Sequence, residues 1–160
     1  MWSCREPSAA KRTGIAEDCH DDFHGGGLPR ILVLIGRLIF AFMFAMAVTF
    51  KFIGMQSTAD YIAAAGFPMP FALAVLAAIL ETVLTLCFLT GAFFVEACLA
   101  AAVYVVFLGF AFHGPSHWAA SQAEFGFFVD HFTFLAGLLF AAAHGPGDVL
   151  ALKRFAILKI

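Results

Sequence analysis

Four apolar runs, each about as long as the helix that crosses a bilayer, constrain this chain more than any other feature. They cover residues 31–50, 71–89, 92–112 and 125–143. Each also contains a residue that ionises: Arg37, Glu81, Glu96, and Asp130 with His131. A charge at the centre of such a helix costs roughly 3 kcal/mol on insertion scales unless it is paired or wet. The runs therefore indicate where the chain resides, and the charges inside them are the first place to look for what it does.

Composition agrees. Of 160 residues, 62% are hydrophobic and only 12% are charged, about half the charged fraction of a soluble domain. The formal charge of −2 implies neither nucleic acid nor an acidic partner. The expected fold is all-α, an integral membrane four-helix bundle running up and down, with lipid as its main surroundings. Its spans are predicted at 31–52 (TM1), 70–89 (TM2), 92–113 (TM3) and 125–143 (TM4), within a domain covering 29–153.

Residues 1–28 read as a disordered polar cytoplasmic tail ending in Gly25-Gly26-Gly27. Residues 154–160 form a short basic tail. The first run is longer than the h-region of a cleaved leader and follows polar sequence, so a retained signal-anchor is expected. A short helix at 60–65 is predicted in the loop before TM2, stopped by Gly66. Thr90-Gly91 is the only break between TM2 and TM3, which implies an antiparallel hairpin. Arg5, Lys11, Arg12, Arg30, Lys153, Arg154 and Lys159 flank the terminal side of the spans, against Lys51 alone on the other. The positive-inside rule then places both termini in the cytoplasm, the longer loops outside.

Depth, taken at 1.5 Å per residue, puts Arg37 roughly 10 Å and Glu81 roughly 13 Å from the terminal side. An Arg37–Glu81 pair inside the bundle is the expectation, with Tyr104 opposite as a hydrogen-bond donor. Such a pair reads first as a clamp on helix register, and alternatively as a buried acid that takes a proton or a polar head group. Glu96 lies within about a turn of the start of TM3, where the helix dipole favours an acid.

A second polar cluster is expected at the outer face, from Lys51, His113, Gln122, Asp130 and His131, with Trp118 as an interfacial anchor. Packing, a quinone or proton-relay mouth, and a metal are its alternative readings. Metal is disfavoured because Gly114-Pro115 separates His113 from His117, and adjacent Asp130 and His131 diverge by about 100° on a helix. Cys87 and Cys98 fall at similar depth, as packing residues or as a dithiol. Cys19, His20 and His24 suggest a metal tract but lack further ligands. There is no Walker-type loop, nucleophile elbow or HExxH motif.

The order of several short segments resembles the DoxX family of small bacterial four-helix membrane proteins. They are Gly36-Arg37-Leu38, Phe50-Lys51-Phe52, the stretch from Tyr61 to Pro68, Leu80-Glu81, Leu89-Thr90-Gly91, Phe112-His113, Gln122, and Gly145-Pro146-Gly147. The chain departs from the family at Asp130-His131, where members often carry Lys-Asn. The resemblance implies a multi-pass protein of the bacterial inner membrane, serving as membrane subunit of a quinone-linked oxidoreductase or redox-stress complex. It would work with a soluble or membrane oxidoreductase partner or as a homo-oligomer. No covalently bound cofactor is expected, so a partner or a diffusible quinone would supply the redox centre. A non-enzymatic scaffold and a small oligomeric transporter or proton channel remain the alternatives.

Overall fold

The computed structural model describes residues 27–119 and 121–152. The expected N-terminal tail with its Cys19 tract, and the C-terminal charges from Lys153 onward, lie outside these residues. Within them the chain is all-helical: α1 (Gly27–Ile53), α2 (Met55–Ala64), α3 (Pro70–Thr90), α4 (Phe94–His113), α5 (Pro115–Trp118) and α6 (Gln122–His144). Four of these, α1, α3, α4 and α6, are long and apolar enough to cross a membrane. They alternate in direction, so one end of the bundle holds the chain's described termini and the α3–α4 turn. The other, the loop end, holds α2 and α5.

Local chemistry sets the breaks. Pro70 opens α3, where its missing N–H is no loss. Gly91 closes α3 in the left-handed region at φ 70°, its N–H bonding to Cys87 O at 2.8 Å. Phe93 is also left-handed, at φ 50°, so the next span starts at Phe94 and not at residue 92. The helix before α3 starts at Met55, directly after Gly54, and so is longer than the predicted 60–65. Similarly α6 begins at Gln122, three residues before the predicted TM4, and brings Glu124 into its first turn. The pattern Ser121-Gln122-Ala123-Glu124 is the spacing of a helix start.

Packing is arranged in pairs. Helix α3 lies mainly against α1 and α2, and α4 mainly against α6, while the chain-adjacent α3 and α4 touch less. Small residues permit the close approaches: Ala41, Ala74, Ala78, Ala97 and Ala101 are all buried. Phenylalanines fill the space between the pairs. Phe88 lies 5.6 Å from both Phe40 and Phe44 and 5.8 Å from Phe94, centroid to centroid. Large apolar side chains also cover the outside, which suits lipid and no aqueous surface. Threonines in the spans satisfy their hydroxyls on the preceding turn, as in Thr82 to Ala78 O and Thr85 to Glu81 O.

Phe88 is fully buried, whereas Phe140 is 70% exposed. Phe88→Ala is expected to destabilise the fold by about 3 kcal/mol, with little effect from Phe140→Ala. Reversible unfolding in mixed micelles measures both.

Candidate functional site

Glu81, on the inner face of α3, is 2% exposed and holds the centre of the bundle together. Its Oε1 accepts a hydrogen bond from Lys51 Nζ at 2.7 Å and another from Tyr104 OH at 2.8 Å. One carboxylate thus ties α1, α3 and α4. Its Oε2 is buried and has no hydrogen-bond partner among the described residues.

The expected Arg37–Glu81 pair does not form. Arg37 is buried, but its Nη1 donates to Pro146 O at 3.0 Å and its Nη2 to Leu150 O at 2.8 Å. Side-chain direction explains the exchange of partners. On a helix the Cα–Cβ bond tilts toward the N-terminus. On α1 this sends Arg37 toward the terminal end, and on the antiparallel α3 it sends Glu81 toward the loop end. Matched Cα depths therefore conceal diverging side chains. By the same tilt Lys51, near the loop end of α1, points down into the bundle and meets Glu81. It is not part of the outer cluster in which the sequence reading set it.

Arg37 instead secures the chain after α6. Leu152 N–H donates to Thr90 O at 2.9 Å, and Arg30 approaches Asp148 at 3.7 Å. Gly91 is packed so closely that an added Cβ would lie 3.0 Å from both Ala151 Cβ and Arg37 Nη1. The residues from Gly145 to Leu152 are thereby strapped across the terminal end of the bundle.

Above Glu81, toward the loop end, a cavity of about 230 Å³ opens between α1, α4 and α6. Met43, Phe44 and Phe134 give it apolar walls, and Glu81, Tyr104, Asp130 and His131 its polar points. His131 Nδ1 lies 2.6 Å from Phe127 O and therefore carries a hydrogen, which leaves Nε2 of the neutral ring as an acceptor. The cavity brings the predicted Glu81 and Tyr104 together with Asp130 and His131 of the predicted outer cluster, two groups the sequence reading kept apart.

The rest of the outer cluster divides. His113 Nδ1 meets Glu124 Oε2 at 2.6 Å, and Trp118 Nε1 donates to His113 O at 2.9 Å. The His113 ring lies 5.2 Å from that of His131, centroid to centroid. Burial pushes the Tyr61 phenol up, and the nearby Glu124 carboxylate pushes it further. Gln122 is exposed on the first turn of α6. Glu96 is in the first turn of α4, and Cys87 and Cys98 are free thiols. Among the described residues no three His, Cys, Asp or Glu side chains gather as a metal site. Sequence reasoning missed Glu124, whose signal was the helix-start spacing, and the apolar walls, for which periodicity offers no signal.

Chemically, the site is a buried carboxylate with a cation, a phenol and an apolar chamber beside it. The family model described as DoxX matches residues 32–114, just over half of the chain, which takes in α3, α4 and nearly all of α1. No curated protein and no solved structure matches the chain.

Lys51→Met leaves a buried carboxylate without its cation and is expected to cost about 3 kcal/mol of stability. Adding Glu81→Gln to that variant should recover most of the loss, which a double-mutant cycle of micellar unfolding reads directly. Arg37→Met should free the strap, seen as faster hydrogen exchange at Leu152 N–H.

Proposed function

Because the chain belongs to the DoxX family, we propose that it is the membrane subunit of a quinone-linked oxidoreductase or redox-stress complex. In this reading it lies in the bacterial inner membrane with both termini in the cytoplasm and the loop end outside. The observation that carries the proposal is the cavity between α1, α4 and α6, apolar in its walls and polar at Glu81 and Tyr104.

The residues present fit a quinone head group. A quinone carries two electrons and two protons within the lipid phase, and its ring is flat and apolar with an oxygen at each end. Phe44 and Phe134 offer aromatic surfaces for such a ring. Lys51 Nζ keeps hydrogens beyond the one given to Glu81 and is a donor for a carbonyl oxygen, while Tyr104 OH, whose hydrogen goes to Glu81 Oε1, and the unpartnered Glu81 Oε2 are acceptors for the hydroxyl of the reduced form. Met43, on the rim of the cavity and 38% exposed, leaves a way out for an apolar tail. In this reading electrons pass to or from a partner oxidoreductase. Its own residues bind and orient the head group and hold a proton at Glu81.

Binding of decylubiquinone to the full chain in nanodiscs tests the proposal. Wild type should bind, Glu81→Gln should lose binding, and Tyr104→Phe should weaken it about tenfold, one hydrogen bond's worth. Unchanged binding in Glu81→Gln would overturn the quinone site. If the same variant instead blocked proton flux, a channel would be the better reading. An effect on complex assembly alone would favour a scaffold.

A further inference from the structure

The ionisable side chains that share a hydrogen bond or a cavity with the Glu81 carboxylate are Lys51, Tyr104, Asp130 and His131. Toward the loop end come the cavity with Tyr104, Asp130 and His131, then His113 against the His131 ring, then Glu124 at the surface. Toward the terminal end the next buried side chains are Leu84 and Phe88 on α3, Ala41 on α1, Cys98 on α4 and Leu138 on α6. The Thr85 hydroxyl there is bound to Glu81 O, and Glu96, in the first turn of α4 near Cys87, is the carboxyl of this half, with its Oε2 buried. The Arg37 guanidinium lies beyond them, at the level of Gly91, about 15 Å down α3 from Glu81 at 1.5 Å per residue.

We propose that Glu81 exchanges protons with the loop-end face alone, through the cavity, His131 and the His113–Glu124 pair. The step is proton transfer without electron transfer: an O–H bond forms at Glu81 Oε2, and the proton comes from bulk water at the loop end. His131 suits the relay because Nδ1–H is held by Phe127 O, leaving Nε2 to accept. In the cation both nitrogens carry hydrogen, so a proton accepted at Nε2 can be passed on from the same atom. His113 is arranged alike, its Nδ1 held by Glu124. The ring centroids of His131 and His113 lie 5.2 Å apart, which makes the two imidazoles neighbours along the path. The cavity of about 230 Å³ has room for several water molecules of about 30 Å³ each. The ionisable groups facing the path are Lys51 from α1, Glu81 from α3, Tyr104 and His113 from α4, and Asp130, His131 and Glu124 from α6, with Tyr61 of α2 near its mouth.

The path stands on this geometry. Its use, as the exit for protons released when a reduced quinone gives up electrons to the partner, rests on the proposed function.

The test needs no quinone, so it can fail or succeed independently of that reading. The full chain is reconstituted in liposomes sorted by orientation, and pH is jumped on one side at a time. Infrared difference spectra then follow the carboxyl C=O stretch that Glu81→Gln removes. The band should follow pH at the loop end and ignore pH at the terminal end. His131→Ala should slow the response at least ~10-fold, as loss of a positioned acid–base group does, without changing the final amplitude. Free imidazole on the loop side should restore the rate, which a packing role would not allow. His113→Gln is the second variant and should also slow the response. A band that follows the terminal side, a rate unchanged in both variants, or a carboxylate that never protonates would each overturn the proposal.

Discussion

A carboxylate inside a bilayer has to be charged and paired, or neutral, and the arrangement of this bundle follows from how Glu81 meets that requirement. Its Oε1 takes both a lysine and a tyrosine, from two different helices. The helices must then stand at a definite depth and rotation relative to one another, because neither donor can move far without stranding the acid. Apolar packing in lipid is poor at setting such a register, since a leucine against lipid and a leucine against leucine differ little. The polar contacts supply what packing leaves loose. Close alanine contacts and the Phe40, Phe44, Phe88 and Phe94 cluster then fill the space that remains.

Arg37 meets the same requirement differently. Its guanidinium donates to two backbone carbonyls. The carbonyls belong to an irregular segment that lipid alone could not satisfy. Each thus supplies what the other lacks: a cation needing acceptors, and a non-helical backbone needing donors. The two knots are separated by the aromatic layer.

Much of this was legible in the chain. Run length and the scarcity of charge are enough for four spans, and Pro70, Gly91 and Gly145 mark breaks by local backbone chemistry. Glu81, Tyr104, Asp130 and His131 stand out because ionisable or hydrogen-bonding groups are expensive in lipid. What could not be read was which of them meet. Depth along a helix fixes Cα height, whereas a long side chain extends several ångströms further in a direction set by helix polarity. Lys51 and Arg37 were misplaced for that one reason, since both side chains reach from α1 toward the terminal end. The cavity was hidden for another. It is the space that Met43, Phe44 and Phe134 leave between helices, and no periodic pattern records a space.

The strap has a consequence for how the chain is made. Arg37 is in the first span, yet its acceptors are 109 and 113 residues later, beyond the last. During synthesis the first helix therefore enters the membrane with a cation that has no final partner until the fourth has followed. Lys51 and Glu81 are only 30 residues apart and can join once α3 is in place. Assembly thus has an order, with an early knot near the loop end and a closing knot at the terminal end. A chain interrupted before Pro146 retains an uncompensated arginine in lipid, the kind of defect by which a membrane's quality control distinguishes an unfinished protein from a finished one.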